Sequence, residues 1–541
     1  MDSNEKRLIL FIIISVIILF GSAYLFPAKT LRQDKVVQQS TPTPPATDSK
    51  NALSPPKTAS NPIIAAASSD EKEIFVETSL FKAVLTNRGG GIKQWELKSY
   101  FESDRATSVK LLQSSISLLP LSIEVGEERD LFLNGFYSVE GESLHLSGDQ
   151  KEGTIIFSLR NPVTGKAVQK KLTFHRDSYT VDLEIRTENI SNYAFLLGSN
   201  FGIHQWGDKS FVGFIGPTSL VNNKVIKENS AKITQDVLYE GKVSWTALQD
   251  KYFLSALIPA NETDRALVKK VKEGEFTAGS QVNLKDPAAS LRKFTLFAGP
   301  KKLSVLESLN VYLEETIDFG WFIAGSWAIV RMIAKPLFIF LNFFYSFTHN
   351  YGIAIILLTV SIKILFIPLT HKSYKSMKGM QTVQPLLAEI QKKFKNDKVR
   401  LNREIMELYK THKINPLGGC LPMVLQIPVF VALFNVFYTT IELRQAPFFL
   451  WITDLSDYDH KYVLPVIMGI TMFIQQKIQP TNMDPKQAKI MLILPVIFTF
   501  FFLNFSSGLV LYWILNNILS VSQQVITARY FSGQKAKALT A

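Results

Sequence analysis

Six apolar runs constrain this chain more than any other feature: Leu8–Phe26, Tyr351–Thr370, Leu417–Thr440, Val463–Ile478, Met491–Phe505 and Leu509–Ile526. A helix of about 20 apolar residues crosses the ~30 Å hydrocarbon core of a bilayer, so several runs are membrane spans by length alone. In lipid only a helix or a closed barrel satisfies its own backbone, which makes these spans helical. At 541 residues, 47% hydrophobic and 19% charged, the chain is too long for one domain and too apolar for a purely soluble protein.

Charge orients the spans. Lys6 and Arg7 precede the first run and keep the N-terminus cytoplasmic. Gly21-Ser22-Ala23 offers small residues for a signal peptidase, but Leu8–Phe26 exceeds the usual apolar core of a signal peptide, about 7–15 residues, and favours an uncleaved anchor. Net charge is +13, and +7 of it falls between His371 and Leu417, where eleven Lys and Arg stand against Glu389, Asp397, Glu404 and Glu407. Such basicity suits nucleic acid, yet between two spans it is first a cytoplasmic-loop signal. The next loop, 441–462, carries Glu442, Asp454, Asp457 and Asp459 against Arg444 and Lys461 and belongs outside. Lys477, Lys486 and Lys489, then Arg529, Lys535 and Lys537, return inside, consistent with six spans. Phe319–Val330, with Trp321 and Trp327, suits a helix lying in the interface. A further span there is the rival and would reverse the topology of all that follows.

Between the first two spans the composition shifts twice. Residues 27–70 are rich in Pro, Thr, Ser and Ala and read as a disordered tether that cannot bury a core. Residues 71–300 read as short alternating strands: Val181, Leu183 and Ile185 alternate with Asp182, Glu184 and Arg186, and Ile74–Val76, Phe81–Leu85, Thr154–Leu159, Leu172–Phe174 and Phe294–Phe297 look alike. A region of this size with so many strands suggests a large β-sandwich. Its Gly89-Gly90-Gly91 lacks the strand–GxGxxG–helix context of a nucleotide loop and reads as a tight turn. The single cysteine, Cys420, excludes an intramolecular disulfide and any metal site built from several thiolates. No Walker-type motif is present, and the reading requires no cofactor or metal.

The basic loop has helical periodicity. Val383, Leu387, Ile390 and Phe394 recur on one face with Pro385 in the first turn; Asn396-Asp397 offers a turn and a new cap; Leu401, Ile405 and Leu408 follow. Two short antiparallel helices are expected over 384–412, with an ordinary solvated loop as the alternative.

Lys363 is the only charged residue inside the five C-terminal spans, Lys477 being placed at a cytoplasmic end. A lysine in mid-membrane costs about 2.5–3.5 kcal/mol on insertion scales, and no neighbouring span has a carboxylate to neutralise it. It therefore faces water or a polar cavity, or it snorkels towards the headgroups near Thr370. Thr359 lies on the same helix face, and Gln426, Asn435, Asn504, Asn516, Asn517, Gln523 and Gln524 add amides in other spans. Each amide alone is as compatible with interhelical glue; together with the lysine they suggest a wet, amphiphilic concavity. Met491–Phe505 is short for a span, and a mismatch of that kind is relieved partly by bilayer thinning.

Asn415-Pro416-Leu417-Gly418-Gly419-Cys420, then Pro422, Gln426 and Pro428, then Glu442-Leu443-Arg444-Gln445-Ala446-Pro447-Phe448, and finally Ser507-Gly508-Leu509-Val510-Leu511-Tyr512-Trp513 closely resemble the YidC/Oxa/Alb family of membrane insertases. The anchor, tether and large β domain resemble its Gram-negative bacterial branch. The resemblance implies a polytopic α-helical inner-membrane protein with both termini cytoplasmic and a large periplasmic β-sandwich. It implies a groove open to cytoplasm and lipid, closed outside, with a central positive charge at Lys363 and with Thr359, Gln426, Asn504, Tyr512, Trp513 and Asn516 around it. Substrate helices would leave along the spans 417–440 and 491–505. Implied partners are nascent membrane proteins, lipid, Sec translocon components, and the ribosome or signal recognition machinery at the hairpin, with no nucleic acid as a specific ligand. Lysine here replaces the family's usual arginine, Ser506 stands where many bacterial members have proline, the 319–345 stretch is longer, and the tail 531–541 is too short for a ribosome-binding extension. The expected organisation is an anchor (1–26), tether (27–70), β domain (71–300), interfacial helix region (301–348), five-span core (349–530) and tail. A secondary transporter would place Asp, Glu or His in its spans, which these lack beyond His349 at a boundary. A glycan-active β domain rests on fold analogy alone, without paired acids in convincing local context.

Overall fold

The computed structural model describes residues 70–112, 116–204, 214–260, 263–320, 328–395, 397–412, 421–478 and 491–540. The anchor and tether, Trp321 and Trp327, the Asn415–Cys420 motif, Lys413, Lys486 and Lys489 lie outside them. The chain divides into two compact units, one ending at Ile317 and one containing Asp318–Ala541.

The first unit is a β-sandwich, as its alternation predicts. A five-stranded sheet runs in the order Ser108–Lys110, Gly91–Phe101, Phe81–Thr86, Glu73–Glu77, Leu144–His145. A 13-stranded sheet has as its main path Ser122–Glu124, Asn192–Leu196, Glu275–Asn283, Thr263–Lys272, Val237–Gln249, Phe253–Pro259, Ser290–Pro300, Thr180–Glu188, Ala167–His175, Glu152–Arg160 and Ser138–Glu140. All the pairings of this larger sheet are antiparallel, and Val181 and Leu183 oppose Leu296 and Phe294. Val181, Leu183 and Ile185 are buried while Asp182 is exposed, the period-two pattern of a sheet with one face on a core. Between the sheets, Phe81 stacks on Trp95 at 4.0 Å and meets Phe174 of the larger sheet at 6.5 Å.

Gly89 and Gly90 form the tight turn after Phe81–Thr86 at φ 67° and 55°, and a Cβ on Gly89 would sit 2.4 Å from Leu133 O. Above that turn Lys170, fully buried, donates to Gly89 O, Gly90 O and Leu121 O at 2.6, 3.1 and 2.7 Å.

The second unit is helical: α1 (Ala328–Thr348), α2 (Tyr351–Thr382), α3 (Gln384–Lys393), α4 (Lys398–Thr411), α5 (Leu421–Thr439), α6 (Val463–Ile478), α7 (Leu494–Phe501) and α8 (Ser507–Thr540). Among the described residues, Ala328–Thr348, Tyr351–His371 and Ser507–Arg529 are long and apolar enough to cross a membrane, and Gln426–Thr439, Val463–Ile478 and Leu494–Asn504 are shorter apolar helices. Most of the helix expected over Phe319–Val330 lies outside the described residues; from Ala328 onward the chain is helical, as α1. It buries Val330, Ala334, Phe338 and Leu341, spaced to form one face, against α2 and α5. Two helices run on past the apolar spans. α2 continues past Thr370 to Thr382 and α8 past Ile526 to Thr540, because loss of hydropathy marks a membrane boundary and not a helix boundary. The hairpin forms as read from the sequence: Pro385 lies in the first turn of α3, and Asp397 caps α4 by accepting from Arg400 N at 3.0 Å.

Candidate functional site

α2 and α8 run side by side in parallel and in constant register. Lys363 meets Asn516 and Thr370 meets Gln523, each pair 153 residues apart in sequence. Near the start of both helices, Ile355 approaches Gly508. A register held over that length turns the polar residues of α8 into a ladder. Tyr512, Asn516, Ser520 and Gln523 follow at helical spacing and cover about 16 Å of rise.

Each rung has a partner. Gln426 of α5 donates from Nε2 to Tyr512 OH at 2.5 Å. Lys363 Nζ donates to Asn516 Oδ1 at 3.1 Å and to Ser520 Oγ at 2.6 Å. The Ser520 hydroxyl in turn donates to Asn516 O at 2.6 Å, which fixes its proton and leaves its lone pairs for the lysine. Gln523 Nε2 donates to Thr370 Oγ1. Lys363, Asn516 and Ser520 are half-buried, and none of α2, α5, α6, α7 and α8 contains an Asp or Glu.

The residues singled out in the sequence separate into groups. Lys363, Gln426, Tyr512 and Asn516 belong to the ladder. Thr359 lies on the Lys363 face but is buried and donates to Ile355 O of its own helix at 2.6 Å. Trp513 faces away from the ladder, since one residue turns a helix by about 100°; it packs edge-on against Phe430 at 4.9 Å and against Phe502 at 5.1 Å. Asn504 is not brought to Lys363 either: it is exposed in the 3-10 turn Phe502–Asn504, ahead of α8. Asn435 and Asn517 are buried glue, donating to Phe319 O and to Thr471 Oγ1 of α6, each at 3.1 Å. Ser520 escaped the sequence reading, though its position four residues after Asn516 was the available signal.

One end of the bundle is closed by the loop between α5 and α6. Asp457 O accepts from Ser507 N at 2.7 Å, Leu455 O accepts from Gly508 N at 2.9 Å, and Tyr458 bridges Ser506. Asp459, buried, accepts from Leu464 N, Lys461 N and Trp451 Nε1 at 2.7, 3.0 and 3.0 Å and so anchors the start of α6. The acidity from which this loop is expected outside therefore also serves its turns. Outward-facing apolar residues surround the rest of the bundle, including Ile364 and Leu365 of α2, Ile427 of α5 and Val496, Ile497 and Phe500 of α7.

Comparison with known proteins adds the following. The model of the family described as 60Kd inner membrane protein matches residues 343–535, and that of the YidC periplasmic domain matches residues 73–340. Membrane protein insertase YidC of Geotalea daltonii is 40% identical over 538 residues, covering 96% of this chain and 98% of the relative. That of Geotalea uraniireducens is 42% identical over 539 residues, with the same coverage of 96% and 98%. The solved structure of an active YidC insertase with its first transmembrane domain resolved is 20% identical, covers 86% of this chain and 94% of that one, and superposes with a TM-score of 0.36.

Proposed function

Because the chain belongs to the YidC family of membrane protein insertases, we propose that the ladder centred on Lys363 is the groove in which it receives the polar flank of a substrate. Membrane protein insertion is its function, and it is not an enzyme; its substrates are nascent membrane proteins and its setting is the inner membrane, with the β unit periplasmic.

The observation that carries the groove reading is the direction of the Lys363 side chain. It crosses to α8, bonding Asn516 at its own level and Ser520 one turn further along, and is held there, short of the level of Thr370, which Gln523 occupies. An ammonium held by neutral acceptors keeps its full charge available to an incoming carboxylate. Opposite charges about 4 Å apart attract by about 1 kcal/mol in bulk water and about 4 kcal/mol near a protein surface. An acidic tail entering the groove gains that attraction while the substrate's apolar helix lies against the outward faces of α5 and α7. The tail crosses less hydrocarbon because α7 is short, and no nucleotide hydrolysis is needed.

The same reading orders the rest of the molecule. Both termini and the α3–α4 hairpin are cytoplasmic, and the hairpin's exposed Lys392, Lys393, Arg403 and Lys410 offer a surface for the ribosome or signal recognition machinery. α1 lies along the interface, since making it a span would put this basic hairpin outside. Insertion proceeds alone or beside the Sec translocon.

The test is insertion into proteoliposomes by Lys363→Glu, using substrates matched except for acidic or neutral outgoing tails. Insertion of the acidic-tailed substrate falls about tenfold, equivalent to about 1.4 kcal/mol, and the neutral one is little changed. Equal activity of the variant on both tails removes the electrostatic role.

A further inference from the structure

The loop that closes the bundle carries an apolar tip that insertion through the groove does not use. In Pro447-Phe448-Phe449-Leu450-Trp451 the chain reverses, Phe448 N donating to Ile452 O at 3.0 Å and Ile452 N to Phe449 O at 3.2 Å. At the apex Leu450 takes φ 58°, a left-handed conformation that glycine or asparagine adopts more readily. Yet the position holds a leucine with 88% of its surface exposed, beside Phe449 with 53% exposed. The Phe449 ring leans on Phe448 at 4.6 Å with half its surface left exposed, and the turn's hydrogen bonds do not involve the Leu450 side chain.

The mounting of the tip fixes its depth. The Phe448 ring covers Gly352 in the first turn of α2 so closely that a Cβ there would lie 1.9 Å from it. Asn350, which accepts from Ile353 N at 3.1 Å at the head of α2, donates to Phe448 O at 3.4 Å. On the other side, Trp451 Nε1 is held by Asp459, the residue that anchors the start of α6. The tip is thus level with the first turns of two apolar helices, the depth at which a spanning helix meets the headgroups. At the same corner, the last turns of α1 expose Phe343 and Phe347, and α1 joins α2 through His349-Asn350.

We propose that Phe449 and Leu450 insert into the headgroup–acyl boundary of the leaflet at the closed end, so that lipid is their partner and the tip sets the depth of the bundle. Aromatic and aliphatic side chains beside a hydrogen-bonded tryptophan are the composition that interfaces select. The proposal rests on the chain spanning the bilayer and is independent of any role for Lys363.

The test uses full-length protein carrying Cys420→Ser and Leu450→Cys, labelled at position 450 with an environment-sensitive nitrobenzoxadiazole and reconstituted into phosphatidylethanolamine–phosphatidylglycerol vesicles. Emission is blue-shifted, quenched by nitroxide lipids labelled near the headgroup, and several-fold less sensitive to aqueous iodide than the same label at Val163→Cys, a position 90% exposed in the β unit. Iodide quenching at 450 equal to that at 163 overturns the proposal. So does protection from iodide without lipid quenching, which means protein covers the tip, or protection that vanishes at one protein per vesicle, which means a second copy does. Because the label replaces Leu450, Phe449→Cys is read in parallel and must agree.

Discussion

Lys170 and Lys363 both leave bulk water, and their surroundings give them different chemistry. Lys170 lies between the sheets, capped by three carbonyls and the Tyr137 ring at 5.0 Å. Burial pushes it down to about 7, and the carbonyls are what allow an ammonium to stay there. The unfolded chain holds this proton up to about 10.4, so between pH 7 and 10 it binds more protons than the folded state. The burial penalty is therefore complete below pH 7 and is relieved as pH rises, by up to about 1.4 kcal/mol per unit. Hydrogen exchange of Ala167–His175 in the intact protein, corrected for intrinsic rates, should show protection rising from pH 7 to 9; Lys170→Met should flatten that rise, and an unchanged slope would assign it to another group. Lys363 has instead one amide, one hydroxyl and a half-open site, which leaves it accessible where Lys170 is sealed.

At the scale of elements, close approach of helix and loop decides what the bundle can do. Gly508 lets the closing loop reach the head of α8: a Cβ there would meet Leu455 O at 3.1 Å. Gly352 does the same for Phe448 at the head of α2. Gly352→Ala must displace that ring and should destabilise the membrane unit by about 1–3 kcal/mol, read as a lower thermal midpoint in detergent. Phe448→Ala added to it should be less damaging than the two single effects combined; strict additivity would show that the ring and the glycine do not share the strain. α7 with its 3-10 turn, Leu494–Asn504, rises about 18 Å against a ~30 Å core. Under the proposed function, that short rise puts the thin side of the bundle where the outward apolar face of α7 lies.

For the whole molecule, the division at Ile317 separates two kinds of stability. The β unit has its own inter-sheet core of Phe81, Trp95, Phe174 and Phe201 and, with the single cysteine at 420, no disulfide. The helical unit contains every rung of the ladder and the loop that closes it. Replacing residues 75–290 by a flexible linker should therefore retain growth and insertion of substrates with short tails, while losing what depends on partners of the β unit. Loss of insertion for every substrate, with the helical unit still folded, would show that the β unit acts in the groove's own step.

The sequence by itself determined the class of the molecule, because hydropathy, charge bias and strand alternation are local consequences of which solvent each residue meets. The apolar helices among the described residues, the sandwich, the Pro385 and Asp397 hairpin signals and the singular Lys363 were legible in this way. Only the tertiary structure decided which polar residues meet. Asn516 and Asn517 are neighbours in sequence, yet one joins the ladder and the other ties α8 to α6, because a helix turns successive side chains to different faces. Trp513 left the candidate groove for the same reason, Asn504 because it lies in the 3-10 turn ahead of α8, and Ser520 entered it through the register of two helices more than a hundred residues apart. Register depends on packing against a partner, and a single strand of sequence does not carry it.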